Sequence, residues 1–251
     1  SYFIWIKDSL CRRGAQEIIF KRWLFNAYFR IRKSAGCQFL QKKSNPTLWN
    51  TGYIRPVSKF GTKAGIQYAR AQTNAGGALA ALGIRGDAEI WSLVATHPLM
   101  RTFQEVRNLS FALTSKTVKN FVFDQTKLSQ DDLREIVVGH DGARGDKHGR
   151  WIHALSLTQG LGDALGGNNN GDPQSSRVGS GNEFTKLNLD VLRSQELKKT
   201  KTGAPRSILF RFSGQLSSDP LTTAEQFAVG GPDSVRGFIQ GERLGDDGFT
   251  V

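Results

Sequence analysis

Ile208-Leu209-Phe210-Arg211-Phe212-Ser213-Gly214-Gln215-Leu216 is the stretch that decides the fold. Ile208, Phe210, Phe212 and Leu216 alternate with Leu209, Arg211, Ser213 and Gln215. Successive Cβ atoms of a strand point to opposite sides, so this spacing predicts a strand with one apolar and one more polar face. Working outward, the same alternation recurs. In 185–191, Leu187, Leu189 and Val191 oppose Lys186, Asn188 and Asp190. In 151–158, Trp151, Leu155 and Leu157 oppose Ala154, Ser156 and Thr158. In 108–114, Leu109, Phe111 and Leu113 oppose Asn108, Ser110, Ala112 and Thr114. Weaker versions lie in 63–71, 89–99 and 133–140. Alternating segments of about ten residues fit strands that cross an outer membrane with one face in lipid. They also fit a soluble β-sandwich, whose polar face is wet and whose strands are mostly shorter.

The connections separate these two readings. Residues 160–183 form a long polar link containing Gly166-Gly167-Asn168-Asn169-Asn170-Gly171-Asp172-Pro173, and 120–132 a moderately long one. Residues 99–107 and 142–149 are short. Long loops at one end and short turns at the other are expected of a membrane barrel.

Composition excludes other classes. Apolar residues make up 38% of the 251, and no run reaches the roughly 18 apolar residues of a spanning helix. The net charge of +12 raises the possibility of a nucleic-acid binder. Its distribution argues otherwise: residues 1–45 hold ten Lys/Arg against two Asp/Glu, and 46–251 hold 24 against 20. No nucleic-acid partner is expected. Both cysteines, Cys11 and Cys37, lie in the basic stretch. The cysteine-free remainder suits an oxidising envelope compartment. Residues 1–43 admit two readings. One is a basic amphipathic helix on a membrane surface. The other, favoured by the abrupt change near Asn45-Pro46, is a stretch foreign to the fold, such as an out-of-frame translation or a fragment edge. The domain division is therefore 1–45, atypical and basic, and 46–251, barrel. The first apolar run, at 2–6, is too short for a signal peptide. The chain starts without Met and reads as an internal fragment. An unclosed barrel leaves strand edges unpaired, so the fragment is not expected to fold alone.

A loop near the C-terminus adds a second signal: Gly230-Gly231-Pro232-Asp233-Ser234-Val235-Arg236-Gly237-Phe238, preceded by residues 221–229. Gly230 and Gly231 permit backbone angles closed to other residues. Arg236 carries a permanent charge with five donors in a planar fork. Inside a barrel it needs a carboxylate partner. Gly237 allows close backbone passage, and Phe238 can pack against a wall.

This segment resembles the inward-folding loop of haemolysin secretion/activation proteins, the outer-membrane transporters of two-partner secretion. The tetrad Val235, Arg236, Gly237 and Phe238 carries the likeness. Phe60-Gly61-Thr62-Lys63, residues 91–101 and Phe184-Thr185-Lys186-Leu187 are similar to strand starts and a turn of the same family. The resemblance covers roughly 54–251. It implies a partial, all-β, antiparallel transmembrane β-barrel in the bacterial outer membrane. It also implies periplasmic polypeptide-transport-associated domains upstream and export, without ATP, of a large secreted partner of haemolysin or adhesin type. Arg236 would latch the loop, with Gly230 and Gly231 shaping it. The family's partner for this arginine is an Asp in a later strand, beyond Val251.

No enzymatic chemistry is legible. His97, His140, His148 and His153 show no metal-ligand spacing. His140 and His148 read as solvated, and His153 as facing lipid or its interface. Asp131-Asp132 and Asp246-Asp247 read as loop solvation. No nucleophile elbow or phosphate loop occurs, and no cofactor or metal is expected. Gln67, Lys186, Asn188, Asp190, Arg211, Ser213 and Gln215 are the candidates for lining the interior. They either keep a wet channel or solvate a plugged one. The rival functions are a barrel-assembly factor, a passive porin and a soluble basic binding module.

Overall fold

The computed structural model describes residues 2–6, 18–22, 47–74, 82–123, 126–197, 206–231, 234–235, 237–238 and 241–251. Eight long strands follow one another: β3 (Thr47–Pro56), β4 (Lys63–Asn74), β5 (Arg85–Arg101), β6 (Glu105–Val122), β7 (Thr126–Asp146), β8 (Gly149–Gly160), β9 (Thr185–Leu197) and β10 (Arg206–Ser217). Each pairs antiparallel with the next. A short strand, β13 (Gly248–Thr250), adds to β10 and completes a nine-stranded meander with β3 and β13 at its edges. The hairpin β11 (Phe227–Val229) and β12 (Arg243–Gly245) stands apart from this sheet. So does a pair at the N-terminus, β1 (Tyr2–Ile6) and β2 (Ile18–Arg22). The helical reading of residues 1–43 therefore fails where that stretch is described. Tyr2–Ile6 is rich in aromatic and β-branched residues, which favour a pleated strand.

The register sorts the alternating side chains onto two faces, with Ile152 and Leu209 falling on the polar one. Leu93, Leu113 and Ile136 pair in one row; Val138, Leu157 and Leu187 lie on the same face. Leu155, Leu189, Val191 and Phe212 continue it. These apolar side chains are open: Leu93 is 54% exposed, Leu157 46% and Leu216 63%. The buried residues are mostly polar, among them Asp131, Glu135, Asn182, Lys186, Gln215, Thr222 and Glu225; Leu133, Phe184 and Leu221 are the buried apolar ones among the described residues. In water this arrangement would leave a large apolar surface uncovered. In a bilayer it is the expected one, with lipid covering the apolar face.

Connections also segregate. The turns at 57–62, 102–104 and 147–148 lie at one end of the sheet. The long loops 161–184 and 218–247 lie at the other. One expectation needs correction: 120–132 is not a moderately long loop. β6 and β7 run on through most of it, leaving 123–125 as the connection. Paired strands satisfy one another's backbone groups, so polar residues there do not force a loop. At 17, 18 and 21 residues, β5, β6 and β7 overshoot the roughly 30 Å hydrocarbon thickness, even when tilted.

β8 pairs with β7 only from Glu135 onward. Above that point the edge of β7 is taken over by the 161–184 loop. Gln130 donates its amide to the Gln174 carbonyl (2.7 Å), and the Asp132 and Arg134 carbonyls accept from the Asn168 and Leu161 amides (2.9 Å each). Two side-chain amides fill the remaining places. Asn168 Oδ1 accepts from the Asp132 amide at 2.5 Å, and its Nδ2 donates to the Gln130 carbonyl at 3.4 Å. Asn182 Oδ1 accepts from the Arg134 amide, and its Nδ2 donates back to the Arg134 carbonyl, both at 3.1 Å. An asparagine amide has the donor and acceptor of a peptide unit, so it can stand in for a missing strand.

Candidate functional site: a loop docked on the polar face

The polar face opposite the apolar one is where the sequence candidates converge. By register, Gln67 pairs with Ser92, Ser92 with Thr114, and Thr114 with Glu135. Thr158 pairs with Lys186, Ser156 with Asn188, and Asn188 with Gln215. Asp190 pairs with Ser213, whose hydroxyl donates to Asp190 Oδ1 at 2.5 Å. Arg211 lies two residues before Ser213 on the same strand face. Gln67, Lys186, Asn188, Asp190, Arg211, Ser213 and Gln215 thus all point to one side.

The chain leaving β10 folds back over that side. Leu221 and Thr222 are fully buried and Glu225 is 6% exposed. Glu225 sits between two strands' lysines, forming ion pairs with Lys116 of β6 and Lys186 of β9. Lys116 Nζ also lies 3.7 Å from Glu135 Oε1 of β7. The four side chains, each no more than 17% exposed, form a neutral group of two cations and two anions. Burial alone would raise the Glu225 carboxyl, but the Lys116 and Lys186 charges outweigh it and hold the group below the usual carboxylate range. Gln215 Nε2 donates to the Glu225 carbonyl (3.1 Å) and to the Asp246 carbonyl (2.9 Å), joining the outgoing and returning arms of the loop. Asn188 Nδ2 fixes the Gln215 amide from the neighbouring strand at 2.8 Å.

Asp246 organises the returning arm. Its carboxylate accepts from Arg177 Nη1 (2.5 and 2.7 Å), the Leu221 amide (3.2 Å) and Gln226 Nε2 (3.1 Å). Burial pushes this carboxyl up, but the bonds from Arg177, Gln226 and Leu221 prevail and hold it below its ordinary value. Arg177 also donates to the Leu221 carbonyl (3.3 Å), and the Thr223 amide donates to Ser176 Oγ (3.1 Å), so the 161–184 loop grips the same base. Asp247 Oδ1 accepts from the Ser217 amide at 2.6 Å, capping the end of β10. Asp131 accepts from the Ser176 amide at 2.8 Å. Reading Asp131-Asp132 and Asp246-Asp247 as solvation is therefore corrected: Asp131, Asp246 and Asp247 hold loops to one another and to the sheet, and Asp132 accepts from Thr117 Oγ1 of β6 at 2.6 Å.

From the base, β11 and β12 lead to the tip. Gly230 and Gly231 take φ values of 114° and 104°, and Gly237 takes 96°, all closed to most side chains. The Gly230 amide donates to Ser234 Oγ at 2.9 Å and closes the turn. Val235 and Phe238 are 39% and 55% exposed, so neither is buried against the described sheet. Arg236 lies outside the described residues. Sequence reasoning reached Lys186, Asn188 and Gln215 but missed Lys116, Glu135, Arg177, Glu225 and Asp246. A Lys at an inward position of β6 was a readable signal; the partners of the carboxylates were not.

The histidines resolve differently. His140 and His153 stack at 5.1 Å between ring centroids on the apolar side. His140 is thus a sheet residue rather than a turn residue. No group of His, Cys, Asp or Glu suited to a metal ion occurs among the described residues.

An antiparallel meander with a lipid-type outer face, a polar inner face and a loop folded back onto it defines a segment of an outer-membrane β-barrel. Residues 25–251 match the profile of the family described as haemolysin secretion/activation protein ShlB/FhaC/HecB, and the chain belongs to that family. The match begins inside the basic N-terminal stretch. Among solved structures, the chain is similar to CdiB from Acinetobacter baumannii (TM-score 0.61, 16% identity, 81% of this chain and 35% of that one). It is also similar to CdiB from Escherichia coli (TM-score 0.57, 18% identity, 99% of this chain and 51% of that one). The chain spans about a third and about half the length of these two proteins. No curated protein matches it in sequence.

Proposed function

We propose that the chain is part of an outer-membrane pore that carries a large secreted partner polypeptide, of haemolysin or adhesin type, to the cell surface. The observation that carries this reading is the loop base held on the polar face by Lys116, Lys186 and Glu225. A passive porin has no need to fill its interior with a strapped-in loop; a pore that opens only for one passenger does. Family membership points the same way. In this reading Gln67, Lys186, Asn188, Asp190, Arg211, Ser213 and Gln215 line the conduit. Mixed charges and amides there give an extended chain polar contacts without a strong binding site. Arg236 latches the tip, with Val235, Gly237 and Phe238 completing the motif and Gly230 and Gly231 setting its turn. The outward apolar rows contact lipid.

The test is Arg236→Ala in the full-length protein, with export of the partner measured at matched barrel abundance. Export is expected to fall. Undiminished export removes Arg236 from the mechanism. Unchanged export on deleting the whole protein, with other outer-membrane barrels failing to assemble, would replace this reading with that of an assembly factor.

A further inference from the structure

We propose that Glu225 is a positioning residue: with Lys116 and Lys186 it forms a latch at the base of the inward loop, separate from the Arg236 motif at its tip. The inference rests on the reading of this loop as an element of a transport pore. It is carried by the contrast along the loop. Leu221, Thr222 and Glu225 are buried, whereas Val235 and Phe238 are open. Three glycines with positive φ separate Glu225 from Phe238. The base is also held from two sides, by the sheet through Glu225 and by the 161–184 loop through Arg177 and Asp246.

The charge arrangement gives Glu225 a particular hold on the sheet side of the base. Lys116 and Lys186 stand on strands separated by β7 and β8, and Glu225 bridges them. Without it, Lys116 retains Glu135 at 3.7 Å, while Lys186 loses its carboxylate. A buried pair gives little net stability compared with an apolar contact, but it strongly penalises any arrangement that leaves one charge alone. It therefore selects a position for the loop. Release of the tip would then swing the β11–β12 hairpin about a fixed base rather than freeing the entire loop.

Thr222 provides a reporter. It is fully buried beside Glu225, and its hydroxyl oxygen has no hydrogen-bond partner, so a cysteine fits there at little cost. In the full-length protein with every native cysteine replaced by serine, Cys11 and Cys37 among them, Thr222→Cys is labelled with a membrane-impermeant maleimide on intact cells. Heat-modifiable migration on a gel confirms folded barrel in every variant. Slow labelling is expected in this parent. Adding Glu225→Gln should speed it about tenfold or more. Glu225→Lys should do the same. Inverting all four charges together (Glu225→Lys, Glu135→Lys, Lys116→Glu and Lys186→Glu) keeps every ion pair with its sign reversed and should return labelling to the slow rate. Adding Arg236→Ala to the parent should leave it slow. Slow labelling with Glu225→Gln, or fast labelling with Arg236→Ala alone, would overturn the separate latch, as would failure of the four-charge inversion to rescue slow labelling in a folded barrel. The readout needs no exported partner, so loss of the transport reading and loss of the latch are told apart.

Discussion

Leu155 and Ser156 are neighbours in β8 that live under opposite rules. Leu155 faces Leu189 of β9 on the open apolar side; Ser156 faces Asn188 on the side covered by the loop. On the first side exposure is the normal state of a leucine, because lipid replaces water as its solvent. On the second side lysines and glutamates are buried, because each finds a partner on another strand or on the loop. The lesson is that burial and polarity are uncoupled in this sheet. What matters is which solvent each face meets.

That contrast can be broken most sharply by one substitution made twice. Leu155→Arg should destabilise the folded barrel by about 3 kcal/mol, because a charge near the bilayer midplane has no partner. Ser156→Arg should cost less than about 1 kcal/mol on the wet side. Urea unfolding of the full-length protein in lipid vesicles compares them, and equal costs would refute the assignment of faces. A smaller effect, about 2 kcal/mol, is expected for Asn182→Ala, which removes the acceptor of the Arg134 amide while its carbonyl keeps the Leu161 amide. It should appear as faster amide exchange at Arg134 and around Gly162.

Acid probes the docked loop more gently. Glu225 and Asp246 both have carboxyls held below their ordinary values. For a lowered pKa, the stabilisation is complete above the unfolded value and is lost as pH falls through the folded one. Docking should therefore be unchanged from neutral down to about pH 4 and weaken only below it. Protection of residues 221–226 from exchange, followed across that range, checks the sign. Undocking above pH 5 would contradict it. The smallest effect belongs to Asp190→Asn, on the polar face. Its bond from Ser213 survives on an amide oxygen, and unfolding should shift by less than about 0.5 kcal/mol.

Most of the sheet was legible because period-two alternation is a local property. Ile208 to Leu216 reveals its faces without knowledge of any neighbour. Residues 120–132 were misread for a complementary reason. Asn120, Ser129 and Gln130 are typical of loops, yet here they continue strands whose pairing satisfies the backbone. The docked loop was half legible. Glycines and an arginine in a recognisable order mark its tip. Its base depends on Glu225 meeting Lys116, which lies 109 residues away in sequence. Nothing local distinguishes that glutamate from a solvated one, and the same holds for Asp246 and Arg177.

The overhang of β7 has a consequence for strand pairing. A strand that rises past its neighbour offers bare amides and carbonyls, a template on which any passing extended chain can add itself. Here that template is already occupied, from Gln130 to Arg134, by Gln174, Leu161 and the side chains of Asn168 and Asn182. Left bare, this edge would let any extended segment zip onto the rim of the sheet. The asparagines act as an anti-adhesive trim, closing that edge without lengthening β8.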